Sequence, residues 1–292
     1  MSTFVQFPHP GREPPLNVIT NGVCPANTWG IHSRKFLHAK GGSYVTPNGT
    51  SQRQRQDGCF TFWGEWEQSS GVIMFPPSAP RINGLPRQLH TPILPLAPPP
   101  TSGAQTNPCG TGINPCATGV PQVLPSAVMS TDPFVFCEPM LYYHCKIGTY
   151  NILRNLTCGD IVVFGSKLAG NFVVDTVFVV ADQVSVEDPA LCQLFAQANG
   201  GHFPGGPRDV YRGATFANPV DGMFSFFPAF PCADRTPMPF PRPTLQLLTY
   251  PGLINQNLGR GLKHTTIPNS QPVWLQIVSE ITRQGKVLGL RA

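Results

Sequence analysis

Prolines set the first limit on this chain. It has 34 of them in 292 residues, together with 29 glycines. They recur too often for a bundle of long helices, because an interior proline costs a helix about 3 kcal/mol. Short strands joined by irregular connections tolerate them far better. Charged residues make up only 12% of the chain, while 19 Phe and 4 Trp are enough to build a core. The expected fold class is α+β and strand-dominated: a curled antiparallel sheet or small barrel with few short helices and long Pro/Gly-rich loops. The expected organisation is an extended arm over residues 1–20 and one globular domain over 21–292, interrupted by a Pro-rich insertion at about 76–131.

Local patterns place the elements. Residues 59–67, Cys-Phe-Thr-Phe-Trp-Gly-Glu-Trp-Glu, have the aromatic and β-branched content of a strand. Residues 161–166 and 171–180 are two β-branched runs separated by a tight connection, which reads as an antiparallel hairpin. Residues 186–199 fit a helix, with Pro189 in the first turn and Gly200 just past the end. Residues 273–280 and 285–290 read as a closing hairpin, and 41–56 as a polar turn or hairpin end.

No run reaches the length of about 18 apolar residues needed for a membrane helix, and the N-terminal residues lack the basic and apolar blocks of a signal peptide. Nine cysteines without a CxxC pair suggest reduced thiols and a cytoplasmic location. No metal ligand set can be assigned from spacing: a zinc site requires distant Cys and His to converge, so the cofactor stays unknown at this level. The net charge is +5. From residue 235 to the end, seven basic residues (Arg235, Arg242, Arg260, Lys263, Arg283, Lys286 and Arg291) face one acid, Glu280. An excess of Arg over Lys suits a phosphate-bearing or base-bearing partner, DNA, RNA or a nucleotide, and no membrane partner is expected.

The hairpin that opens Gly159-Asp160-Ile161-Val162-Val163-Phe164 resembles the centre of PUA-like folds of the EVE and ASCH type. Four further segments, residues 29–33, 62–67, 131–136 and 211–215, look like those of bacterial nucleotide-modification-associated (Nmad) domains. The G-x-K-x-x-E-x-R signature of ASCH domains is missing. The resemblance implies recognition of a nucleotide or modified base, in a bacterial or phage modification or defence setting, and does not by itself imply catalysis.

Several residues could carry such chemistry. If 63–67 is a strand, Trp63, Glu65 and Glu67 share a face, where a ring could stack on a base and carboxylates accept from its exocyclic amine. Glu65 and Asp175, the latter interrupting an apolar strand, are the candidate acid–base pair for an enzyme acting on a base or its N-glycosidic bond. Asp132, Tyr143 and Lys146 gather an acid, a ring and an amine. Ser166 and Lys167 stand at a strand end where phosphate can be held, and Tyr211 and Arg212 adjoin a Gly-rich segment fit to clamp phosphate or base. Three functions follow in order of expectation: a nucleotide or nucleic-acid binder, an enzyme acting on a nucleotide or base, and a structural protein that binds partners through its insertion.

Overall fold

The computed structural model describes residues 1–9, 11–26, 33–46, 54–76, 84–93, 131–143, 147, 149–185, 209–232, 237–246 and 262–292. Thirteen strands dominate it. In chain order they are β1 (Ser2–Pro8), β2 (Val23–Cys24), β3 (Lys35–Thr46), β4 (Gln54–Gly64), β5 (Ser70–Met74), β6 (Gln88–Pro92), β7 (Leu141–Tyr142), β8 (Ile161–Leu168), β9 (Asn171–Ser185), β10 (Asp209–Gly213), β11 (Phe227–Pro231), β12 (Lys263–Ile267) and β13 (Val287–Arg291). A 3₁₀ turn at Leu16–Val18 and two helices, α1 (Asn151–Arg154) and α2 (Ser270–Arg283), are the helical elements described.

The strands form a six-stranded sheet, β12-β1-β8-β9-β10-β7, and a seven-stranded sheet, β13-β11-β4-β3-β6-β5-β2. In the second, β13 also pairs with β3, so β3, β4, β11 and β13 make a closed ring of pairings. Both sheets are mixed rather than purely antiparallel, because β1 runs parallel to β8 and β3 parallel to β6. Bridges Val177↔Phe226 and Val173↔Thr244 stitch β9 to the segments around β11.

The apolar runs of β1, β8 and β9 are continuous because both faces of this sheet are covered. Val5, Phe7, Val162, Phe164 and Phe178 point into one core with Leu37, Phe60, Phe62 and Phe227 of the other sheet. Phe4, Ile161, Val163, Val177 and Val179 point the other way, against Val273, Trp274, Ile277 and Ile281 of α2. The β8–β9 hairpin is as expected. Its two-residue connection, Ala169-Gly170, has φ of +47° and +84°, the left-handed pair that lets a tight turn match strand twist.

Three expectations are corrected. Residues 2–8 are not an extended arm: β1 lies between β12 and β8, its apolar side chains shared between the two cores. Residues 273–280 are helical rather than a strand. Val273, Trp274, Ile277, Val278 and Ile281 fall on one face at helical spacing, and the Asn269 side chain caps the start by accepting from the Gln271 N–H. Within the Pro-rich insertion, residues 88–92 form β6 against β5. The expected helix at 186–199 lies outside the described residues, as does most of the insertion.

Candidate functional site

The sequence candidates Glu65 and Asp175 are brought together, and arginines join them. The antiparallel register Lys35↔Gly64 places Arg34, just before β3, beside Glu65, just after β4. Arg34 Nη1 lies 2.8 Å from Glu65 Oε2, and its Nε lies 3.1 Å from Asp175 Oδ2. Asp175 reaches this point through a bulge: Phe164 pairs with Thr176 and Gly165 with Val174, leaving Asp175 as the extra residue, re-aimed by the kink. Gly165 is required there, since a Cβ would stand 2.1 Å from the Val173 carbonyl oxygen. Arg242 completes the group, with Nη1 3.6 Å from Asp175 Oδ1 and donating to Ser166 Oγ at 2.9 Å. His9 Nδ1 lies 3.6 Å from Glu65 Oε2.

This centre is buried: Arg34, Glu65, Asp175 and Arg242 are each less than a tenth exposed. Two guanidinium groups face two carboxylates, so the formal charge is balanced, as burial demands. Burial pushes the Asp175 pKa up, and Arg242 and Arg34 draw it back. Glu67 sits alongside with its pKa well above the ordinary value, first from burial and then from the charge and hydrogen bond of Glu65. Burial lowers the pKa of Lys35, whose ammonium donates to the Gln68 carbonyl at 3.2 Å.

Trp63 is 3% exposed; its indole N–H donates to the Phe240 carbonyl at 2.9 Å and the Arg242 guanidinium covers its ring at 4.5 Å. β4 ends at Gly64, so the expected strand face shared by Trp63, Glu65 and Glu67 does not form as a strand; Arg242 covers Trp63, and Arg34 holds Glu65.

The other candidates lie apart from it. Asp132 is buried and accepts from the Tyr143 N–H at 3.2 Å, and the Tyr143 hydroxyl donates to the Thr131 carbonyl. Tyr211 is buried, stacks against Tyr142 and accepts from the Leu156 N–H. Arg212 pairs with Asp182, Nε to Oδ1 at 2.8 Å. Lys167 points to solvent, and Lys146 lies outside the described residues. Arg34 and His9 were not singled out from sequence, and Arg242 only as one of the C-terminal basic residues. A faint signal for the first was Arg34-Lys35 in an apolar stretch, matching in number the two glutamates of 65–67.

An open cavity of about 610 Å³ lies elsewhere, lined by Arg55, Arg291, Phe136, Glu138, Thr215 and Asn218 among others. Arg55 is held by Glu138 at 2.9 Å and donates to Ser43 Oγ at 3.0 Å. Arg291, on the closing strand β13, makes no side-chain hydrogen bond or ion pair among the described residues. Phe136 is half-buried and packs on Trp66 and Phe134, so its ring is fixed from behind. One further group of metal-capable side chains among the described residues, His38 on β3, Cys59 on β4 and Cys232 just past β11, is half-buried. Among the described residues no helix is long and apolar enough to cross a membrane. No known family, curated protein or solved structure matches the chain.

Proposed function

We propose that this chain is a binding module for a nucleotide or nucleic acid, and that the ligand seats in the Arg55–Arg291 cleft. The observation that carries this reading is Arg291, a cation that makes no side-chain hydrogen bond or ion pair among the described residues and whose charge acts on Cys137 beside it, lining a cavity of about 610 Å³, within the usual range of about 300–1,000 Å³ for small-molecule sites. Arg55 beside it is pre-oriented by its ion pair, Phe136 offers a fixed ring edge, and Thr215 and Asn218 supply hydrogen-bonding groups. The +5 net charge and the PUA-like resemblance point to the same ligand class.

The buried Arg34–Glu65–Asp175–Arg242 centre serves this module as a structural anchor. Its carboxylates have arginine partners and little exposure, so they meet each other rather than a substrate. The test is binding of labelled mononucleotides and of modified and unmodified oligonucleotides at low and moderate salt. Affinity should fall with salt. It should also fall about 10–100-fold in Arg291→Glu, the scale of a lost charge-assisted contact worth about 1.5–3 kcal/mol. Absence of binding at low salt, or affinity indifferent to Arg291→Glu, overturns the reading.

A further inference from the structure

Apart from the nucleotide cleft, the seven-stranded sheet carries a cluster of soft ligand atoms. In the seven-stranded sheet, β3, β4 and β11 are neighbours in that order reversed from the edge, with β4 in the middle. His38 pairs with Thr61, and Phe230 pairs with Thr61 from the other side. Side chains alternate along a strand, so His38, Thr61 and Phe230 share a face, and so do Cys59 and Cys232, each two residues further on. Cys232 lies directly across from Cys59, its N–H donating to the Cys59 carbonyl at 2.9 Å. On the other flank Cys59 faces the β3 bulge between Ala39 and Gly42. Phe60 and Phe62 of the same strand point into the core between the sheets, so the three side chains lie on the opposite face, beyond the smaller cluster of Phe36, Trp63 and Phe240 that covers the other end of that face. All three side chains are half-buried, reachable from solvent and held by the sheet.

The potential ligand atoms converge. His38 Nε2 is 3.1 Å from Cys59 Sγ, and one nitrogen and two sulfurs all lie within 4.8 Å of one another. Tetrahedral zinc, with bonds of about 2.3 Å to sulfur and about 2.0–2.1 Å to nitrogen, sets its ligand atoms about 3.5–3.8 Å apart. The three atoms, one pair at 3.1 Å and all within 4.8 Å, stand within about 1 Å of that spacing. Thiolate and imidazole donors select zinc-like, borderline-soft cations over Mg²⁺ or Ca²⁺, which require oxygen. We propose that His38, Cys59 and Cys232 form a three-ligand site for a divalent cation of the zinc class. Among the described residues no fourth side-chain donor joins these three; a fourth position taken by water or an exogenous donor is the arrangement found where zinc meets a substrate rather than where it only ties a fold together.

The test uses the full chain, reduced and stripped of metal, titrated with Co²⁺ and then with Zn²⁺. One equivalent of Co²⁺ should give tetrahedral d–d bands and a thiolate-to-cobalt charge-transfer band, and Zn²⁺ should displace it. Zinc affinity, read by competition with a chromophoric chelator, should fall in His38→Ala, Cys59→Ala and Cys232→Ala by at least the 10–100-fold, or about that, which a change behind the ligands alone brings. His38→Cys keeps three ligands, so it should retain tetrahedral Co²⁺ and strengthen the charge-transfer band, which separates a lost ligand from a lost fold. Cys24→Ser and Cys158→Ser should bind as the parent does. The proposal is overturned if no such band develops at one equivalent, or if the band survives in the Cys59→Ala/Cys232→Ala double variant.

Discussion

Glu65, Glu67 and Asp175 show how little a residue's identity says without its partners. Asp175 stands between two arginines, and Asp175→Asn leaves buried guanidinium charge uncompensated. Removing one partner of a buried pair costs about 3–5 kcal/mol, so urea denaturation of Asp175→Asn should show a loss of that size. Glu67, held toward the protonated form by burial and by Glu65, should accept Glu67→Gln within about 1 kcal/mol. Equal losses in the two variants would contradict this division. His90 gives a pH signature. Buried between Ser70 Oγ and Gln88 Oε1, it has its pKa lowered to about 3 by burial and by Lys35. The unfolded chain, with an ordinary imidazole near 6.5, binds the extra proton first as pH falls. This site's stability is therefore full above that value and is lost on the way down to about 3, at no more than about 1.4 kcal/mol per pH unit. The difference between the parent and His90→Gln in denaturant stability should follow that slope; a flat difference would refute it. At this scale the sequence marked Glu65 and Asp175 because carboxylates are scarce and one interrupts an apolar strand. It hid Arg34, His9 and the pairing of Arg242 with Asp175, since partners that far apart leave no local pattern.

Elements were legible where one local rule decided them and obscure where two rules competed. The β8–β9 hairpin could be read because its β-branched runs are long and its turn is short. α2 was misread because Val273, Trp274, Ile277 and Val278 are strand-favouring types. Their spacing and the Asn269 cap outweigh those preferences once Trp274 packs against Phe224 and Phe226. The helix face makes a direct prediction. Trp274 is 1% exposed and donates its indole N–H to the Phe224 carbonyl, whereas Leu275 is 47% exposed. Trp274→Ala should cost about 3–5 kcal/mol, and Leu275→Ala should stay within about 0.5 kcal/mol. Thermal melts followed by far-ultraviolet circular dichroism would check the pair; a strand at 273–280 would instead alternate, exposing Trp274 and Ile277 to different fates.

At the scale of the molecule, the first strand is the largest departure from what the chain suggested. A Pro-rich start reads as an arm because prolines interrupt ladders, yet Ser2–Pro8 holds only its last residue as proline and ends the strand there. The strand's neighbours, 161–165 and 263–267, are distant in the chain, and parallel pairing across such a separation leaves no turn signal. Its position makes it indispensable. Among the described strands β1 is the one that pairs with β12, and it flanks β8. Val5 and Phe7 fill the core between the sheets, Phe4 the core under α2, and His9 adjoins Glu65. Deleting residues 1–9 therefore removes three buried apolar side chains, each worth about 1.5–3 kcal/mol, and exposes the open edge of β8. The sum is comparable with the whole stability of a typical domain, about 5–15 kcal/mol. The truncated chain should lose its cooperative melting transition and its near-ultraviolet circular dichroism. A dispensable arm would leave both within a few degrees and a few per cent of the parent, and that result would remove β1 from the framework that positions Arg34, Glu65 and Asp175.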